Sequence, residues 1–527
     1  MSFEKTRGRL SFLVGPLLGD EEEEAVNPFL NRTASKPLSR CNKAKRFLVA
    51  VTLLPIRLLS VIIILLAGFV IAHVAAIGLK SQDFDPLNGK PLKGWRRALF
   101  EVILCGRYLL LWSFGFMGIK VKGKPATKDE APIIVANHVS GLIEGMYLLR
   151  CATMAEAHYI TNPVLGPIMK GTSAIAVDRQ KPDSRQIAKD AILKRATEKC
   201  LGWPQTLVFP EGTCTNGSTL VQFKAGAFAP GLPVQPVVFR YPGKSFDPSF
   251  TFPVTSLKYL FGMMLQCRIR MEVEYLPVYI PNESEKRNPT IFAAGVQKRM
   301  AAALGVLPTK HAAEDVSLCI AAQRMQMPLE TGMVQWQQIT ERLTKIRYRD
   351  ASDLLKHFRK MDKEGKGRLD FKAFSAAMQN LGEASVATSA DDPATPAPVY
   401  AEEDLLHIFE LLDVSGDGYV DFKEYLCGVA VLNGHGQTEE VASLKFVFEC
   451  LSKGEAHFTK DQLVDVVSRA VPGIQQARLE EYFAEADTDR NGLLSRDEFI
   501  AFATKHGEEL GLRARDLLPG FGALTGS

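Results

Sequence analysis

Nine cysteines are spread over 527 residues with neither the paired spacing of a zinc site nor the framework of a small secreted domain. Their scarcity of pattern suits reduced thiols facing the cytosol. Charge of one sign is missing too: 63 Lys and Arg against 59 Asp and Glu leave a net +4, too little to argue for nucleic acid as a partner. The length exceeds one ordinary core, so two or three folded units are expected.

Long apolar runs are scarce, and both lie near the amino terminus. Leu58 to Leu79 is almost wholly apolar, interrupted by Ser60 and His73 and flanked by Arg57 and Lys80, which predicts a membrane-spanning helix. It begins too late to read as a cleaved signal peptide. A second run, 99–119, follows basic residues and contains Arg107, a costly charge at membrane depth, so it reads as an interfacial or re-entrant segment. Basic residues flank both sides of the first run, and the charge rule leaves its orientation open. Ahead of these segments, 1–46 reads as a mobile polar tail carrying the acidic run Glu21 to Glu24. The membrane anchor is then 47–120.

Two apolar stretches, Pro132 to Ala136 and Thr206 to Phe209, read as buried strands. Each leads into residues with chemistry. The first is followed by Asn137-His138-Val139-Ser140-Gly141-Leu142-Ile143-Glu144, the second by Pro210-Glu211-Gly212-Thr213-Cys214-Thr215-Asn216. Loops at strand ends are where α/β proteins hold their sites. A neutral imidazole can remove a proton from an alcohol that attacks a carbonyl, and a carboxylate on its far nitrogen fixes the tautomer. That chemistry is acyl transfer, and it needs no metal.

These segments resemble the motifs of the glycerophospholipid acyltransferase superfamily: a histidine with an acid nearby, then Pro-Glu-Gly-Thr. Thr172 to Arg179 looks like the intervening motif, Gly231 to Val237 like the last, and Phe223 to Phe228 like the segment between. Within the superfamily, Phe209 to Asn216 and Val273 to Asn282 are most similar to the lysophosphatidylcholine and plant-type lysophosphatidylethanolamine acyltransferases. The resemblance implies an α/β acyltransferase domain over 121–314, with a mixed sheet flanked by helices. It implies acyl-CoA as donor and a lysophospholipid as acceptor. His138 is the expected base, and Arg179, Glu211, Gly212, Thr213, Lys224 and Pro236 are the expected substrate-binding residues. It also implies an endoplasmic reticulum membrane location with the catalytic domain in the cytosol. No sequence feature speaks to the oligomeric state.

One departure stands out. The family's acid lies five residues after the histidine, where this chain has Ile143. Glu144 comes one place later, and Gly141 can absorb the extra residue because glycine tolerates unusual φ/ψ. Glu144 is therefore the expected partner of His138. The displacement also motivates a second reading, a membrane-bound calcium sensor whose acyltransferase domain has decayed. A third, within the same chemistry, takes glycerol 3-phosphate or lysophosphatidic acid as acceptor.

Beyond 315 the pattern becomes helical, with a connecting segment at 315–345, an all-α EF-hand domain at 346–510 and a tail at 511–527. The loop 413–424 supplies calcium ligands from Asp413, Ser415, Asp417, Tyr419 through its carbonyl, Asp421 and Glu424. The loop 487–498 does so from Asp487, Asp489, Asn491, Leu493 through its carbonyl, Ser495 and Glu498. Both carry glycine at the sixth position. The stretches 362–373 and 451–462 sit where hands belong but lack ligands; each is expected to pair with a competent loop. Gly382 to Val399 reads as a flexible insert.

Overall fold

In the computed structural model the described residues are 27–506. Excepted are 35, 38, 80–84, 86, 88, 164, 178–183, 199–201, 244, 343–347, 389–401, 433–456 apart from Leu444 and Phe448, and 471–474. Two compact units emerge. One comprises Val26–Ala313, and the other carries everything from Glu314 onward.

The first unit is built on a seven-stranded mixed sheet. Its strands are β1 Lys120–Lys122, β2 Ile133–Ala136, β3 Ala152–Glu156, β4 Ile175–Val177, β5 Thr206–Val208, β6 Val234–Arg240 and β7 Glu272–Tyr275. The order is β1-β7-β6-β2-β5-β3-β4. Every neighbouring pair is parallel except β6 with β7. Strand β2 lies centrally, so both of its faces are covered: Ile133 and Val135 join one apolar cluster, Ile134 and Ala136 the other. Two-sided burial is why β2 reads as an unbroken apolar run.

Strands β6, β2 and β5 are consecutive and parallel, so their carboxyl ends share one edge of the sheet. Tyr241, Asn137-His138 and the loop from Phe209 leave from that edge. Asn137 bridges two of them. Its Nδ2 donates to the Phe239 carbonyl at 3.0 Å and its Oδ1 accepts from the Phe239 amide at 2.7 Å, continuing the ladder between β2 and β6 by a side chain.

The amino-terminal segments differ from the sequence reading in four ways. The apolar helix, α1, runs Arg40–Ala76 rather than 58–79, and it is the helix among the described residues long and apolar enough to cross a membrane. Ser60 and His73 return hydrogen bonds to the Ile56 and Phe69 carbonyls one turn back, which lowers the cost of placing them in an apolar medium. Arg57 is not a flanking charge at the membrane surface. It is fully buried, donating to the carbonyls of Met264 and Gln266 at 2.5 and 2.7 Å.

The second apolar segment is not one piece. Helix α2 occupies Trp95–Ser113, and Phe114 and Phe116 then enter the core beneath the sheet, so these residues belong to the core of the first unit. Arg107 is accommodated by donating to the Leu104 carbonyl and to the Tyr108 hydroxyl.

Part of the tail expected to be mobile is built into the first unit. Phe29 is buried against the ring of His311, and Leu30 bridges to Phe252. Asn31 Nδ2 donates to the Asp247 and Ser249 carbonyls at 3.2 and 3.1 Å. An apolar residue flanked by two asparagines finds partners on distant loops, which no local pattern announces. The first 26 residues lie outside the described ones.

In the second unit, 314–340 is not a separate connector. Leu318, Ala322, Val334, Trp336 and Ile339 share one core with the EF-hand residues Phe358, Phe374, Leu426 and Phe499. The hands pair as expected: β8 Arg368–Leu369 lies antiparallel to β9 Val420–Asp421, and β10 His457–Thr459 to β11 Leu493–Ser495. The helix after the first hand continues to Thr388, so 382–388 is helical rather than insert, and 389–399 lies outside the described residues.

Candidate functional site

His138 stands two residues beyond β2 with its peptide held on both sides. Its amide donates to Glu211 Oε1 at 2.7 Å, and its carbonyl accepts from the Thr215 amide at 2.9 Å. One residue on, the Val139 carbonyl accepts from the Phe250 amide at 3.0 Å. The imidazole stacks on Phe209, centroids 4.0 Å apart at 20°. Its side chain keeps 17% of its surface exposed, while Nδ1 is buried. Desolvation in this setting pushes its pKa down to about 4, so the ring is neutral at physiological pH and able to accept a proton.

Glu144 is on the short helix α3, Leu142–Tyr147, with no exposed surface. Its Oε2 lies 3.8 Å from His138 Nδ1, and neither atom has a hydrogen-bond partner. The position that the family acid would take, Ile143, is fully buried in the core among Met146, Leu148 and Val237. The inserted residue is taken up at Gly141, whose φ of +69° lies in the left-handed region. A Cβ there would also meet Cys214 Sγ at 3.3 Å. The extra residue therefore turns Ile143 inward and delivers Glu144 to the histidine. Burial raises the Glu144 pKa, while the Tyr241 hydroxyl and the Ser140 amide oppose that rise.

Glu211 was expected to line the acceptor pocket, and the structure places it elsewhere. It is fully buried, with Oε1 on the His138 amide and Oε2 3.4 Å from Thr215 Oγ1. It braces the histidine from beneath, and burial pushes its pKa up to about 8. Gly212 and Thr213 do reach the surface. At Gly212 φ is +68°, and the aliphatic part of Lys224 passes where a Cβ would be, with Cε at 3.0 Å. Lys224 is exposed, and its amide donates to the Pro210 carbonyl. Pro236 is buried in mid-strand, its carbonyl accepting from the Leu276 amide. Arg179 lies outside the described residues, just beyond β4.

Sequence reasoning missed Tyr241, Tyr259 and Asn216. The Tyr241 hydroxyl donates to Glu144 Oε1 at 2.6 Å, and the Tyr259 hydroxyl is 2.7 Å from Ser140 Oγ. Asn216 donates to the carbonyls of Asn27 and Leu30. Asn216 closes the Phe209 to Asn216 motif but is given no role there, and nothing beside Tyr241 or Tyr259 in the chain signals a site. The adjacency of β6 to β2 brings in Tyr241, the helix Ser256–Met264 brings in Tyr259, and the return of residues 27–31 gives Asn216 its partners.

The EF-hand loop 487–498 has the geometry of a cation site. One carboxylate oxygen each from Asp487, Asp489 and Glu498 lie within 4.8 Å of one another, a spacing that one calcium ion can bridge. Glu498 also accepts from the Ser495 amide at 2.9 Å, and Leu493 and Ser495 form the ladder strand. Asn491 Oδ1 accepts from the Leu493 amide. In the other loop Asp413 accepts from the amides of Gly416, Asp417 and Gly418, and Glu424 from those of Ser415 and Asp421. Tyr419 lies between, its amide on Asp417 Oδ1. The donor set is all oxygen, which suits calcium. The first hand folds alike, with Asp362 capping the Lys366 and Gly367 amides, yet Lys366 pairs with Glu364 where a cation ligand belongs. In the third hand 451–456 lies outside the described residues, and Gln462 Oε1 accepts from Thr459.

Residues 118–240 match the acyltransferase family model, 351–430 the EF-hand domain pair, and 479–503 a further EF hand. The chain is 33% identical over 492 residues to lysophosphatidylcholine acyltransferase 2 of Homo sapiens, covering 92% of this chain and 84% of that one. To the lysophosphatidylcholine acyltransferase of Drosophila melanogaster it is 30% identical over 484 residues, covering 91% and 86%. Among solved structures, the 1-acyl-sn-glycerophosphate (LPA) acyltransferase PlsC of Thermotoga maritima covers 47% of this chain and 96% of its own, at 16% identity and a TM-score of 0.29.

Proposed function

The chain belongs to the lysophosphatidylcholine acyltransferases, and on that premise we propose that it transfers a fatty acyl group from acyl-CoA to the free hydroxyl of a lysophospholipid, with His138 as base. The observation that carries the residue assignment is the buried Glu144 Oε2 facing His138 Nδ1 at 3.8 Å, on the edge where the Glu211 to Asn216 loop closes. A proton on Nδ1 turned toward the carboxylate leaves Nε2 as the acceptor. As Nε2 takes the hydroxyl proton, the alkoxide oxygen bonds to the thioester carbonyl carbon; the tetrahedral intermediate then breaks its C–S bond, and the proton passes from Nε2 to the departing CoA thiolate. Glu144 steadies the imidazolium between the two transfers.

Gly212 and Thr213 offer backbone and hydroxyl groups to the glycerophosphate, and Lys224 and Arg179 supply charge for its phosphate. Helix α1 holds the enzyme in the membrane that carries its acceptor, with the catalytic unit in the cytosol where acyl-CoA is made; the endoplasmic reticulum fits that supply. The loops 413–424 and 487–498 bind calcium. The test is acyl transfer from oleoyl-CoA to a panel of lysophospholipids and glycerol 3-phosphate, in membranes holding the wild type or His138→Ala. Transfer to a lysophospholipid by the wild type alone supports the reading and names the head group. Transfer confined to glycerol 3-phosphate, or undiminished in the variant, overturns it.

A further inference from the structure

A buried carboxylate that orients a histidine must itself be oriented, and Glu144 comes from a six-residue helix one position away from the family's acid. Its longer side chain has an extra torsion to fix. Oε1 is held by two donors, the Ser140 amide at 2.7 Å and the Tyr241 hydroxyl at 2.6 Å. Oε2 is left without one and points at His138 Nδ1. The Ser140 amide is local to the turn, four residues before the glutamate. Tyr241 is the contact from outside it, and it directly follows Arg240, the last residue of β6, the strand parallel and adjacent to β2. Its ring meets Phe116 edge-on, centroids 6.0 Å apart, which limits where the hydroxyl can go.

We propose that Tyr241 is the positioning residue of the dyad: its hydroxyl locks one oxygen of Glu144 so that the other faces the histidine, and thereby makes the displaced acid serviceable. The inference rests on the assignment of His138 and Glu144 above. Two consequences follow from the bond. The ionised carboxylate loses a donor when the hydroxyl is removed, so its protonated form gains ground, and its torsion is released. The groups facing Glu144 are His138 from the β2 loop, Tyr241 from the β6 end, Tyr259 through Ser140, and Glu211 from the β5 loop. Of these, Glu211 also resists a second negative charge nearby, and the groups favouring ionised Glu144 are the Tyr241 hydroxyl, first among them, and the backbone amides of Ser140, Glu144 and Val139.

The experiment measures kcat against pH for oleoyl transfer by the full-length protein in membranes, comparing wild type, Tyr241→Phe, Glu144→Gln and the double variant. Tyr241→Phe is expected to lower kcat roughly ten- to a hundredfold with acceptor KM nearly unchanged, the loss of one hydrogen bond to a charged group. The acid limb of its profile should move up by about one pH unit. On the Glu144→Gln background the same change should cost almost nothing further, because the bond it removes no longer serves an ionised acid. Should Tyr241→Phe fold poorly, 3-fluorotyrosine at 241 keeps the ring and strengthens the donor, and the limb should then move down. Independent, additive losses with an unmoved limb would make Tyr241 mere packing and overturn the proposal. If Glu144→Gln keeps wild-type activity, the dyad assignment itself is wrong and the proposal goes with it.

Discussion

Asn216 and Leu30 are 186 positions apart in the chain, yet the Asn216 side-chain amide donates to the Leu30 carbonyl at 2.8 Å. The same amide group donates to Asn27 at 2.9 Å, and the Asn216 backbone amide donates to the Pro28 carbonyl at 2.7 Å. The residue before it, Thr215, holds the His138 carbonyl. The segment ahead of the apolar helix α1 is thus one hydrogen-bonded step from the candidate base.

Asn216→Ala is therefore expected to lower stability by about 2–3 kcal/mol, since two carbonyls lose a buried donor. Activity should fall with it, and deleting residues 1–33 should reproduce the loss while leaving the protein on membranes. Thermal melting and membrane flotation, run beside the transfer assay, check both.

Arg57→Leu should destabilise the catalytic unit. Arg57 satisfies carbonyls at and beyond the end of the helix Ser256–Met264, where the partial negative charge of a helix terminus favours a cation. Its removal leaves them unpaired, at a cost of roughly 3 kcal/mol. Unchanged melting of the variant in detergent would show that the helix is not docked this way.

Two pH effects have opposite assignments in the site. His138, with its pKa lowered to about 4, stays neutral above that value, so it should not limit the rate anywhere near pH 6.5. Glu144, whose pKa burial raises, must be ionised to serve and sets the acid limb of the wild type. In Glu144→Gln that limb should vanish, and the residual rate should hold until pH approaches about 4. A residual rate that instead halves near 6.5 would mean an ordinary, solvated histidine.

Glu211 separates bracing from ligand binding. Glu211→Gln keeps an oxygen for the His138 amide and is expected to retain most activity, in line with a carboxyl whose pKa burial raises to about 8. Glu211→Ala should lose about a hundredfold in kcat as the histidine peptide is freed, with acceptor KM little altered. A large rise in KM for Glu211→Gln would return it to the acceptor pocket.

For the EF-hand unit, Glu498→Gln should remove one of two calcium sites, because that side chain closes the cluster with Asp487 and Asp489. Calorimetric titration should then find one site where the wild type shows two.

The sequence by itself determined the chemistry-bearing segments, the calcium loops and the presence of an apolar amino-terminal helix. Each is a local signal: a strand's apolar run, ligand oxygens at fixed spacing, twenty apolar residues together. The sequence also raised the displaced acid as a question, which the left-handed Gly141 and the burial of Ile143 answer by geometry. Only the tertiary structure decided what surrounds the dyad. Tyr241 reaches Glu144 because β6 lies beside β2, across 97 positions of chain. Glu211 turns under the histidine rather than toward a ligand, Arg57 turns into the protein rather than toward a membrane surface, and residues 27–33 close over the loop they precede by almost two hundred positions. These are contacts between distant segments, satisfied because buried polar groups must find partners wherever the fold brings them. Residue type and spacing carry no record of that search.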